Sequence, residues 1–317
     1  MSSSNAPKTP SAWREALATL PSSENTGKIP AFFFGHGQPM LMWPESVPAP
    51  DPDKFKYMGP NGPLAQFLKD FGPVLLEKYK PKTIVVFSAH WETSRQQLVT
   101  DYGDENPLLM DYFGFHPKLY KVEFKSRGNS ALSQRIVDIF KQHNIPARTT
   151  PVTEARGRDG RGFSGPGFDH GVFTPFKLMF GDKIDIPIVQ VSIDESLSPE
   201  KNWALGKAVS ELRSEGVLVL SGGLTVHSFR DFSAFVEDTA KPIYREFDNA
   251  VITAAGISDP VERRKALLAL TSHAGFRLAH PREEHFVPIY VAAGCGEEGD
   301  AKVISGIYGA TTVAFGL

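Results

Sequence analysis

The sequence predicts an α/β fold, a single domain built on a central mixed sheet with helices on both faces. Two observations carry this expectation. From Ile29 onward short apolar runs alternate with segments of helical period, and the runs are continuous, as in strands buried on both faces. The 25 prolines and 28 glycines are spread through the connections, which points to long, shaped loops over a compact core. The 317 residues can bury a substantial core, although length alone does not choose between one large domain and two small ones.

Taken in order, residues 1–29 read as an N-terminal extension: a Ser/Pro-rich start, a short amphipathic stretch over residues 13–20, then the polar SSENTG. Such a stretch covers a neighbouring surface, mediates a contact between subunits, or stays a weakly ordered tail. Residues 30–317 form the main domain. Buried strands are predicted at 31–34, 84–87 and 217–220, with further strands at 120–124, 186–193, 303–307 and 311–315. Helices are predicted over 64–79, 130–143, 199–215, 241–255 and 260–270. Ser198-Pro199 and Asp259-Pro260 each set a capping side chain before a proline suited to the first helical turn.

Lys+Arg of 34 against Asp+Glu of 36 leaves a net charge of -2, and no basic stripe carries interleaved aromatics, so nucleic acid is not an expected partner. The single cysteine, Cys295, excludes an intrachain disulfide framework. MSSSNAPKTP has no apolar centre for a signal peptide, and no apolar run reaches membrane-spanning length. A cytoplasmic setting is expected.

Four histidines stand where apolar runs end in turns: His36 in FFFGHGQP, His90 in IVVFSAHW, His227 in VLVLSGGLTVH and His285 in HPREEHFVP. Strand ends that face a common crevice are where ligands bind in open α/β sheets, and imidazoles gathered from remote segments suit Zn, Fe, Cu or Ni. One such histidine alone is more commonly a hydrogen-bonded core or turn residue; four in one context shift the balance toward a metal site. His116, His143 and His273 lack that context. In TEARGRDGRGFSGPGFDHG, residues 153–171, Arg156, Arg158 and Arg161 sit among six glycines, which reads either as a solvent-exposed lid or as a flap that captures a substrate carboxylate.

Six blocks in order, GHGQPM, FSAHWE, DYFGFHPKLYKVEF, FDHGVFTP, SGGLTVHSFRDF and AHPREEHFVPIYVAAG, resemble the class III extradiol ring-cleavage dioxygenases, most closely the 4,5-DOPA branch. The resemblance covers the chain from about Ile29 to its end, and makes residues 30–317 an extradiol dioxygenase-like catalytic domain. It implies one mononuclear divalent metal, Fe(II) or Zn(II), with His36, His90 and His285 as ligands. It puts His227 beside the metal as a general base or a further ligand, and His170 in the pocket as an acid or oxygen-side donor. Glu284 could supply a carboxylate ligand in place of His285. The implied partners are a small catechol such as DOPA and O2; the number of chains that assemble stays open. Departures fall in the pocket, with His116 following GF, Ser228 after the motif histidine and Phe173 where the pattern has tryptophan.

Ring cleavage needs adjacent open positions on the metal and two proton transfers near neutral pH, which histidine suits. Trp91, Phe173, Phe229 and Phe286 are candidate pocket walls, or else simple core. Glu92, Asp169 and Glu284 are candidate orienting acceptors for the imidazoles. His280 is at best an outer contact. Two other functions fit the same histidines: a zinc-dependent hydrolase, in which the metal activates water, and a non-catalytic binding protein on the same fold.

Overall fold

The continuous apolar runs become strands whose successive side chains feed two separate cores. In the computed structural model, which describes residues 6–156, 163 and 165–317, Phe33, Val85, Phe87 and Val219 point to one face, while Phe32, Phe34, Ile84, Val86 and Leu220 point to the other. That alternation is the pleat itself. Among the described residues the sheet has eight strands: β1 (Ala31–Gly35), β2 (Thr83–Thr93), β3 (Gln97–Asp101), β4 (Ala147–Pro151), β5 (Ile188–Asp194), β6 (Val217–Gly223), β7 (Ala301–Ser305) and β8 (Thr312–Phe315). Their spatial order is β4-β3-β5-β2-β6-β1-β8-β7. The central run β5-β2-β6-β1 is parallel, and β3 and β8 join it antiparallel. The sheet is therefore mixed and covered on both faces, as expected for a single α/β domain.

The helices Pro63–Tyr79, His170–Phe180 and Pro10–Ala18 cover the Phe32/Phe34 face; Ser130–Gln142, Pro199–Ala208, Pro242–Ala255 and Pro288–Cys295 cover the other. Pro199–Ala208 and Pro288–Cys295 touch backbone to backbone: a Cβ added at Gly206 would lie 1.9 Å from the Val291 carbonyl oxygen. The N-terminal stretch packs down. Trp13, Leu17 and Leu20 are buried, and the Trp13 Nε1–H donates to Asp70 at 2.9 Å. Of the three readings of this stretch, covering a neighbouring surface is the one realised.

Three element assignments need correction. Residues 120–124 do not form a strand: Pro117–Lys121 is a 3₁₀ turn begun by His116, whose Nδ1 accepts from the Lys118 N–H. The mixed, polar segments QLVTD and ARTTP, by contrast, are strands, β3 and β4, paired in parallel at one edge of the sheet. Helix 199–215 divides at Ala208, its second half being 3₁₀.

Candidate active site

β6 lies between β1 and β2, so the carboxyl ends of three parallel strands open onto one crevice. His36 follows β1 directly, and its N–H donates to the Gly223 carbonyl at the end of β6, 3.1 Å away. The sequence places His90 after a strand; it sits within β2 instead, because Glu92 and Thr93 resume the pairing with β5 past a register shift between Phe87 and Glu92. His285 does not end a strand either. The apolar residues after it form the helix Pro288–Cys295, buried on every side, and a helix hydrophobic all round has the same composition as a buried strand. The Leu224 N–H donates to the His285 carbonyl at 2.8 Å, fastening this turn to the chain leaving β6.

One donor nitrogen from each of His36, His90 and His285 lies within 4.8 Å of the other two. The Nε2 atoms of His90 and His285 are 2.9 Å apart. Two more histidines flank this set: the His227 ring stacks on His285 with centroids 3.6 Å apart, and the His170 ring stacks on His90 at 4.2 Å. The His227 nitrogen groups with Glu284 and His285, not with His36 and His90. Burial drives its imidazole well below the ordinary value, and His285 alongside adds to the effect.

His90, His170, His227 and His285 form the floor of a cavity of about 870 Å³, with aromatic rings lining it above. A model of the catalytic LigB subunit of aromatic ring-opening dioxygenase matches residues 31–316. The chain belongs to this ring-opening dioxygenase family. It is 43% identical over 306 residues to a 4,5-DOPA dioxygenase extradiol-like protein of Schizosaccharomyces pombe, covering 96% of this chain and 97% of that one. It is 29% identical to the 4,5-DOPA dioxygenase extradiol of Beta vulgaris, across 90% of this chain and 94% of the relative. A crystal structure of an uncharacterized Escherichia coli K12 protein superposes with a TM-score of 0.62 at 25% identity, over 91% of this chain and all of that one.

Within this ring-opening dioxygenase the donor set fits a metal. The His90 Nδ1 lies 3.1 Å from Asp169, and the His285 Nδ1 lies 3.0 Å from Glu284. Carboxylates only accept, so each ring donates outward and turns its Nε2 lone pair inward. Two such lone pairs facing at 2.9 Å repel unless a cation lies between them. Asp169 is itself held firmly. It accepts from Ser88 Oγ at 2.6 Å, Gln190 Nε2 at 2.6 Å and Arg156 Nη1 at 3.0 Å, and caps the helix His170–Phe180 through the Gly171 N–H. Burial opposes its charge, but Arg156, His90 and Ser88 outweigh that and keep the carboxyl well below the usual carboxylate range.

Asp111 holds His170 by accepting from both its Nδ1, at 2.9 Å, and its backbone N–H, at 2.7 Å. In the sequence, Asp111 shows only as the carboxylate that opens the aromatic-rich block DYFGFHPKLYKVEF, a signal too weak to single it out.

Several candidates stand elsewhere. Arg156 is buried against Asp169, Gly167 and the His90 carbonyl, with its guanidinium over Trp91, and so braces the site instead of capturing substrate. Arg158 and Arg161 lie outside the described residues. Glu92 pairs with Arg282. Phe229 lines the cavity, whereas Trp91, Phe173 and Phe286 are core. His280 is buried behind the site, its Nε2 donating to the Thr225 carbonyl at 2.9 Å.

Proposed function

We propose that the chain is a metal-dependent extradiol dioxygenase that opens a catechol such as DOPA with both atoms of O2, and that His36, His90 and His285 hold its single divalent ion, Fe(II) or Zn(II). The observation that carries this reading is the convergence of three imidazole donors within 4.8 Å, two of them, His90 and His285, at the floor of an aromatic-lined cavity, in a member of the ring-opening family. The relatives described as extradiol dioxygenases support the choice of diol. Bound in this set, the ion would keep adjacent positions open for the two catechol oxygens and for O2.

The chain's own part is proton handling and positioning. His227, kept neutral by burial and stacked on His285, is suited to take the hydroxyl proton as the catechol binds. Its place in a separate group with Glu284 and His285 favours a base over a fourth ligand. On the opposite flank His170 lines the cavity while Asp111 accepts from its Nδ1–H, which leaves Nε2 as the nitrogen that would first take up a proton and then pass it to the oxygen side. Residues 30–317 would carry this activity, with residues 1–29 as an extension whose described part, at Trp13, Leu17 and Leu20, packs onto it. The single buried Cys295 agrees with a cytoplasmic setting, and among the described residues no helix is long and apolar enough to cross a membrane.

Protein loaded anaerobically with Fe(II) and then exposed to air and DOPA is expected to consume O2 and form a yellow ring-opened product. His227→Ala should keep the metal and lose turnover, whereas His36→Ala should lose the metal. A metal-loaded protein that consumes no oxygen with any catechol of a panel would overturn the proposal.

A further inference from the structure

The wall of the cavity above His227 holds a feature that opening a small catechol does not require. Phe229, Phe232 and Phe235 form a cluster of rings with centroids 5.5 to 6.2 Å apart. Phe229 and Phe232 are 64% and 61% exposed, although both are large and apolar. Exposed apolar side chains gathered at one place mark a binding surface more often than scattered ones do. Here the surface is continuous with the floor: the Phe229 ring meets His227 edge-on at 4.8 Å, and all three rings line the same cavity as His90 and His285.

Size points the same way. At about 870 Å³ the cavity lies in the upper part of the roughly 300–1,000 Å³ range that serves drug-sized ligands. A single ring with two hydroxyls, seated on the imidazoles, would leave most of it unfilled. The polar groups at this rim are paired with each other, Lys8 with Glu237 at 2.5 Å and Tyr57 with Asp238 at 2.5 Å.

We infer that the three phenylalanines form a distal subsite for an apolar, aryl-sized substituent of the substrate, so that the preferred catechols carry a second aromatic group. This inference rests on the ring-opening reading for the orientation of the catechol end. The substituent would stack on Phe229 and Phe232 and remove both rings from water, which hydrophobic burial and ring stacking together reward with about tenfold in affinity per ring.

The test compares 3,4-dihydroxybiphenyl with DOPA and plain catechol. The metal-loaded protein is expected to cleave the biphenyl with the highest kcat/KM. Phe232→Ala, at a ring with no contact to the histidines among those described, is expected to lower kcat/KM for the biphenyl about tenfold more than for catechol. Phe232→Tyr, which keeps the ring, should restore it. Equal losses across the panel, or DOPA outperforming the biphenyl, would overturn the subsite. If no catechol is cleaved, the ring-opening reading fails instead, and the subsite is judged by equilibrium binding of 3,4-dihydroxybiphenyl. Binding weakened about tenfold by Phe232→Ala would uphold it; binding indifferent to that change would sink it.

Discussion

Asp169 is the residue on which most of the site converges, because one buried carboxylate serves His90, the first turn of a helix and Arg156 together. Arg156→Ala would leave that charge uncompensated, and unfolding by urea should show a loss of about 3–5 kcal/mol. Asp169→Asn keeps the shape but no longer demands a donated proton from His90; metal affinity, measured by competition with a chelator, should fall roughly 10–100-fold. A second buried carboxylate behaves in the opposite way. Burial pushes Asp248 up to about 6, despite bonds from the Thr225 hydroxyl and the Gly309 N–H. Between about pH 4 and pH 6 the native protein holds this proton and the unfolded chain has released it, so the Asp248 contribution to stability shrinks as pH rises through that window, by about 1.4 kcal/mol per unit. His280, lowered by burial to about 4, works with the reverse sign, losing stability as pH falls through the interval from about 6.5. The two are separated by difference: unfolding free energies of wild type and Asp248→Asn from pH 4 to pH 7 should differ by a declining amount, flat only above about pH 6. A constant difference would refute the burial argument.

At the scale of elements, close approach between helices sets the position of His285. Gly206 allows Pro199–Ala208 to lie against Pro288–Cys295, and the obstacle to a side chain there is a backbone oxygen that cannot rotate away. Gly206→Ala should cost about 1–3 kcal/mol by thermal unfolding, and should also weaken metal binding, since the helix that must shift begins three residues after His285. Which elements could be read from sequence follows from their burial. β1, β2 and β6 are buried on both faces and announce themselves as unbroken apolar runs. β3 and β4 sit toward the edge and alternate with polar residues, so QLVTD and ARTTP resemble loop. The apolar run after His285 is ambiguous by nature, because full burial erases the periodicity that tells helix from strand. Histidines were legible through their motifs; Asp111 was not, since its role depends on a fold that brings it to His170 from 59 residues away.

For the whole molecule, the three proposed ligands tie together the end of β1, the strand β2 and the turn before Pro288–Cys295, segments far apart in the chain. An ion bound only by the native state adds about 2.7 kcal/mol at one hundred times its dissociation constant. Dialysis against a chelator should therefore lower Tm by several degrees, and Fe(II) or Zn(II) should restore it; a Tm indifferent to both would argue against a shared ion. The amino-terminal segment adds a practical consequence. Pro7 accepts from the Gly306 N–H, and Lys8 stands in the cavity wall, so the described chain begins beside the cavity. A polyhistidine tag at the amino terminus would bring rival imidazoles to the side of the molecule that holds the proposed ion, and purification handles belong at the carboxyl end instead.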